Sequence, residues 1–360
     1  MTAHRRTTLA LVATAALIIP AGPAGAATVS DPLVDGLGLP LGIAVGSNGT
    51  LYVAHADFAT ETSTLSAVPR KGPVRTVRSG ADVGGFIAGV DAKGRGTLTY
   101  TVSAEEAGQV RRIRPSGRDS NLGDVGAFEF TANPDQANTY GFAGLDPTCE
   151  IPAELLDALM MPAPEYPGVV DSNPYAVAIL PDGSRVMADA GGNSLVRVQD
   201  SAVTLLAVLP PVPMAITEEM AGAFGLPPCT IGTDFQLDPV PTDVEVGPDG
   251  MLYVSSLPGG PEDGSISGLG GVFRVDPWTG GVQRIASGFT GATDLAVMPD
   301  GTIYVTEFYI GAVSKVVGGS RQEVVSISGG QLAAPPVSIE QAKGLLYVGL
   351  ADGSVVTIRP

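Results

Sequence analysis

The residues of this 360-residue chain whose types and spacing could do chemistry are acids at the start of a repeated strand. Asp243 opens "VPTDVEVGPDGMLYVSSL" (240–257), and Asp294 takes the same place in "ATDLAVMPDGTIYVTE" (292–307). Two carboxylates held side by side can share a proton, divide acid and base roles, or hold a hard divalent cation. Tyr175 stands at the leading position of a third copy, while His55, Asp189 and Glu307 close the second strand of their copies. Inside the first strand, Glu245 stands where three other copies have Ala44, Ala178 and Ala296, and a weaker copy offers Asp91. A carboxylate buried there needs a partner or a water-filled space.

The elements that would position these residues are internal repeats. With the turn glycines in one column, "LPLGIAVGSNGTLYVAH" (39–55), "NPYAVAILPDGSRVMAD" (173–189) and the two stretches above align, and "AGVDAKGRGTLTYTV" (88–102) and "PPVSIEQAKGLLYVGL" (335–350) follow more weakly. Each copy is an apolar strand, a Pro-Asp-Gly or Ser-Asn-Gly turn whose glycine can take a positive φ, and a β-branched or aromatic strand. Further strands follow, such as "SLVRVQD" and "SAVTLLAVL". Six units of four antiparallel strands predict an all-β, six-bladed propeller. Only "AELLDALM" (153–160) carries a helical period. The last copy supplies three strands, and "TVSDPLVDGL" (28–37) resembles the missing fourth, so the N-terminal strand is expected to close the last blade.

Antiparallel pairing puts the start of each first strand and the end of each second strand on one face, away from the turn. Asp243, Asp294, His55, Asp189 and Glu307 are thereby expected around one channel mouth, with Tyr175 among the ligand-binding residues. Three insertions emerge on that face: 131–172 with Cys149, 211–239 with Cys229, and 258–270. A disulfide from Cys149 to Cys229 would pin the first two into a lid, and long loops on a rigid scaffold are where binding surfaces form.

Residues 1–26 read as a secretory signal peptide: a basic start at Arg5 and Arg6, an apolar run too short to span a bilayer, and Ala24-Gly25-Ala26 as the cleavage site. The expected mature protein, 27–360, is a single secreted domain. No later segment predicts membrane insertion. Removing two arginines leaves 18 basic and 37 acidic residues, a net charge of −19. That surface repels nucleic acid and suits solubility, cationic ligands or divalent metals. One histidine and two cysteines in the mature chain exclude a zinc site of the usual kind. Ca²⁺ is the better metal, with Asp243, Asp294 and Glu307 as ligands.

"NPYAVAILPDGSRVMADAGGNSLVRV", "VPTDVEVGPDGMLYVSSL" and "GFTGATDLAVMPDGTIYVTE", in this order behind a signal peptide, resemble the ScyD/ScyE family of secreted propellers, and "ADAGGNSLVRV" is also similar to the NHL repeat. The resemblance implies a six-bladed propeller and no established reaction. The regucalcin and gluconolactonase group holds a divalent metal with Glu, Asn and Asp at such a mouth; this chain offers Asn173 alone for the two asparagines. The sequence thus points to a monomeric binder of a small molecule, or of an extracellular protein or glycan, working without turnover. The alternative is a metal-assisted hydrolase or lyase at the channel mouth, with Glu307 or Glu245 as catalytic candidates.

Overall fold

The computed structural model describes residues 27–360 apart from 95, 105, 106 and 262, so the segment 1–26 expected to be a signal peptide lies outside the described residues. The chain is mostly β and builds four-stranded antiparallel sheets. The first holds Leu39–Val45, Leu51–Asp57, Thr62–Val68 and Arg75–Ser79, and the second Phe86–Lys93, Thr97–Ala104, Ala107–Ile113 and Asp119–Asp124. Pro174–Ile179, Pro241–Val246 and Ala292–Val297 each begin a further sheet of the same order; a single bridge from Ser287 to Ser320 joins the last two. The final sheet starts at Pro336–Ala342 and is completed by Thr28–Val29, which pairs with Ile358 and Arg359. The strand Thr28–Val29 therefore does close the last sheet.

Sheets stack because the inner strands bury apolar side chains against the neighbouring sheets. Val244, Leu252 and Phe273 of one sheet pack against Leu180, Val186 and Leu195 of the sheet before it. Equivalent clusters fill the gaps between the other sheets, including the one that joins the last sheet to the first. The first strands lie innermost, each beside the first strand of the next sheet. This is the architecture of a β-propeller. Its turns behave as the sequence predicts: Gly49, Gly183, Gly250 and Gly301 have φ between 78° and 87°.

Among the described residues the α-helices are α1 (Gly80–Val83), α2 (Val125–Ala132), α3 (Ala153–Ala158) and α4 (Glu218–Phe224). The helical period of "AELLDALM" appears as α3, whereas α2 and α4 lack such a signal and were not expected. Asp124 and Thr217 start them by accepting from the amides of Ala127 and Met220. Between the second and third of these sheets, and again after the third, the chain leaves the ring. The strands Thr139–Phe142, Glu165–Pro167, Val212–Ala215 and Asp234–Leu237 then pair into a sheet of their own. The Cys149–Cys229 disulfide crosses 80 residues to join the two excursions. Among the described residues no helix is long and apolar enough to cross a membrane.

Candidate functional site

Each first strand except that of the second sheet carries one bulged residue near its start. Pro40 faces His55 and Gly42 faces Ala54, with Leu41 squeezed between; Tyr175, Thr242, Thr293 and Val337 are inserted in the same way, and the second sheet skips Ala88 and Gly89. A bulge bends the strand and re-aims its side chains. Leu41, Ala88, Tyr175 and Val337 consequently meet as one apolar cluster. The residues behind the bulge face a narrow chamber on the axis, lined by Gly42, Gly89, Tyr175, Thr242, Asp243, Glu245 and Asp294 among others, with about 20 Å³ for water. That is room for one molecule.

Asp243 and Asp294 come together in this chamber. Asp243 accepts from the amide of Leu295 (3.3 Å) and Asp294 from that of Ile339 (3.1 Å), so each carboxyl stitches its strand to the first strand of the next sheet. The second oxygen of Asp294, Oδ1, is buried without a hydrogen-bond partner of good geometry, and the Asp294 carboxyl interacts with that of Asp243. Burial, and then the negative charge of Asp243, hold Asp294 well above the usual carboxylate range; burial lifts Asp243 to about 6. At neutral pH the pair therefore shares one proton, because like charges at close quarters in a dry site cannot both persist. Burial and the nearby charges of Asp294 and Asp243 also push the Tyr175 hydroxyl up, keeping it neutral. Thr242 donates to the carbonyl of Ala292 (2.8 Å).

One turn of the pleat deeper, Asp91, Glu245 and Glu340 alternate around the axis with the alanines of the other three strands. Burial raises all three, and each of the two glutamates is further raised by the charges of Asp91 and Asp243. Asp91 accepts from the amide of Ile179 (2.7 Å), repeating the strand-to-strand stitch. Glu340 was missed in the sequence, although the weak last copy carries it in the same column as Glu245.

The other candidates lie elsewhere. His55 Nδ1 accepts from the Gly38 amide (3.1 Å) and Nε2 sits 3.0 Å from Ser66 Oγ; burial lowers the ring's pKa, so it is a neutral bridge beside a separate open cleft. Asp189 accepts from the Asn173 amide (2.6 Å), the Ser172 hydroxyl (2.9 Å) and the Gly192 amide (3.3 Å). Glu307 is fully buried and holds the Thr290 amide (2.8 Å), the Ser314 hydroxyl (2.5 Å) and Arg321 Nε (2.6 Å). All three side chains fasten the loop that leads into their own sheet. The structure brings Asp243, Asp294, Tyr175 and Glu245 together, and does not add His55, Asp189 or Glu307 to them. Among the described residues no three His, Cys, Asp or Glu side chains are placed to hold a metal ion. With both Glu307 oxygens engaged, the donor set does not fit the expected Ca²⁺.

A second polar assembly escaped the sequence reading because nothing in it repeats. Glu129 on α2 is fully buried, neither of its oxygens has a hydrogen-bond partner of good geometry, and its carboxylate presses on Gly192. Burial, then the charges of Asp189, Asp135 and Asp171, push it up to about 8. Next to it Asp135 accepts from the Tyr140 hydroxyl and from Asn193 Nδ2 (2.9 Å each), and Asn193 Nδ2 also reaches Asp238 (2.8 Å). This chain of bonds locks the excursions to the turn after Asp189.

No known protein family matches the chain, and no curated protein does. Solved structures do match it in fold. A putative gluconolactonase is 15% identical, with 93% of this chain and 92% of that one covered and a TM-score of 0.52. A streptogramin B lyase is 14% identical over 92% and 97% of the two chains, TM-score 0.50. The PQQ-bound aldose sugar dehydrogenase of Streptomyces coelicolor is 12% identical over 94% and 99%, TM-score 0.54. At these identities the likeness concerns the fold alone: the protein is a β-propeller, and the narrower resemblance to the ScyD/ScyE family has no such match behind it.

Proposed function

We propose that this protein is a secreted, monomeric, six-bladed propeller of the hydrolase or lyase kind, in which the Asp243–Asp294 pair moves the proton. The meeting of those two buried carboxyls in one chamber, beside space for one water, is the observation that carries the reading. Two carboxyls of one site pushed to different pKa values are suited to opposite roles. Asp243, ionised above about 6, takes a proton from the water as its oxygen attacks an acyl carbon. Asp294 gives its own proton to the departing oxygen, and the pair is then reset by transfer between the two. Tyr175 and Leu41 stand over the chamber, so substrate reaches it when the Tyr175 ring swings aside. Solved propellers of like fold are named as a lactonase, a lyase and a sugar dehydrogenase, which supports an enzymatic reading of the scaffold over an inert one. The metal-assisted form of the reaction has no donor set to support it, and no step is routed through a metal.

The test is turnover of a panel of lactones and activated esters. General acid–base groups contribute on the order of 10²- to 10⁴-fold, so D243N and D294N should each lower kcat/KM at least 100-fold, and the double variant little further. The wild-type rate should rise as pH passes about 6. Full activity in the double variant refutes the assignment. Binding without turnover is the second reading, favoured by the apolar cavity described next.

A further inference from the structure

An apolar hollow lies outside the ring of sheets, where all three insertions meet. Phe142, Met161 and Tyr166 come from the first excursion, Met214, Phe224 and Phe235 from the second, and Gly259, Pro261 and Ile266 from the 258–270 loop. They enclose about 420 Å³, within the range of small-molecule sites. The hollow is cut into an otherwise well-filled apolar cluster in which Phe142 is fully buried and packs edge-on against Phe235 at 4.8 Å. Met160, at the rim, is 90% exposed. An apolar surface left open to water is costly, and methionines line sites that adapt to a guest's shape.

One charged side chain reaches this wall. Asp238 lines the hollow; its Oδ1 accepts from Asn193 Nδ2 (2.8 Å), and no described residue donates to its second oxygen, Oδ2. No Lys or Arg among the described residues pairs with it, and its charged neighbours, Asp135 and Asp171, are acids. A carboxylate set in an apolar wall without a protein cation selects a ligand that brings one. The strongly negative chain favours the same sign of guest.

We infer that the cavity at the junction of the three insertions binds a hydrophobic organic cation, its apolar body among Phe142, Met161, Met214 and Phe235 and its ammonium on Asp238 Oδ2. This site does not depend on the Asp243–Asp294 reading, since it is measured by binding and not by turnover. The Cys149–Cys229 bond acquires a role in the same picture, because the disulfide holds together the two excursions that both line the cavity.

The probes are three isosteres, 4-phenylbutylamine, 4-phenylbutanol and 4-phenylbutyrate, titrated calorimetrically into the whole protein at pH 7. The amine should bind at least tenfold more tightly than the alcohol, and the butyrate more weakly than either. D238N should remove the preference for the amine and leave the alcohol's affinity unchanged. Because Asp238 also anchors Asn193, a second variant carries the test if D238N does not fold: A158W, at an exposed helix residue on the cavity wall, should abolish binding of all three while the melting temperature holds. Equal affinity for the three probes overturns the cation assignment. Absence of binding at 10 mM, or wild-type binding by A158W, overturns the site. Loss of amine binding in D243N/D294N would move the site to the channel and equally overturn it.

Discussion

Glu129→Gln is the substitution whose effect can be worked out most fully. The carboxyl rises from an ordinary 4.5 to about 8 on folding, so between those values the folded chain keeps a proton that the unfolded chain has lost. Stability must then fall as pH rises through that window, and the loss is complete above about 8. One pKa unit corresponds to about 1.4 kcal/mol. The full rise is therefore worth about 5 kcal/mol at high pH, about 3 kcal/mol at pH 7 and about 1 kcal/mol at pH 5 by the same relation. Glutamine has nearly the same shape and no charge, so it removes this penalty. Its amide group must settle where the carboxyl has no partner of good geometry, a cost of about 1–3 kcal/mol that does not vary with pH. Urea unfolding of both proteins from pH 5 to 9 should show the difference in stability moving in the variant's favour by about 3–4 kcal/mol across the range. Asp189 and Asp243, which titrate near 6, do so in both proteins and largely drop out of the difference. Parallel pH profiles would refute the reasoning, because they would mean that Glu129 is solvated or ion-paired in the folded chain.

Two further outcomes follow from the same inventory of partners. Glu307→Gln leaves Arg321 only its exposed partner Glu323 and weakens the charged acceptor of the Thr290 amide and Ser314 hydroxyl, which should cost about 1–3 kcal/mol in chemical denaturation; no measurable loss would show that this pair does not hold its blade. The C149A/C229A variant opens a loop spanning 80 residues, which should lower stability by up to about 4.5 kcal/mol and weaken amine binding in the cavity, whereas unchanged affinity would mean that the excursions hold each other without the bond.

The ring of sheets was legible because each unit repeats one local grammar: apolar strand, Asp-Gly or Asn-Gly turn, β-branched strand. The turn glycines fix the hairpin register, and register fixes which side chains face inward. That is why Asp243, Asp294 and Tyr175 could be placed together from the sequence. The second-strand column was harder. His55, Asp189 and Glu307 do pair with Pro40, Pro174 and Ala292 at the expected face, but the bulge that follows each partner shifts the alternation by one residue. Their side chains turn into the incoming loops instead of the channel. Register alone does not reveal a bulge. The inserted sheet, α2 and α4 were illegible for another reason: the excursions occur once each, so no second copy marks their strands, and Glu129, Asp135 and Asp238 meet only through that tertiary packing.

The placing of charge ties these observations together. The ion pairs, Arg78 and Arg111 with Asp119, Arg274 with Asp249 and Arg321 with Glu307 and Glu323, sit on second to fourth strands and turns. None touches a carboxyl of a first strand. There, Asp91, Asp243 and Asp294 meet the amides of Ile179, Leu295 and Ile339 instead, each across the seam to the next first strand. A first strand shows the axis an edge with free N–H groups, and an acid one blade back is long enough to cover one of them. The acids are thus part of what joins neighbouring strands, which accounts for their recurrence, but backbone amides offset only part of the cost of burying negative charge in so narrow a space. Protonation offsets more of it at Glu245, Asp294 and Glu340, which burial holds well above the ordinary carboxylate range, while Asp91 and Asp243 are raised as well. A scaffold that needs acids on its axis and pairs Asp243, Asp294, Glu245 and Glu340 with no cation among the described residues favours protons held there. Chemistry at the Asp243–Asp294 pair would draw on a store that the fold already maintains.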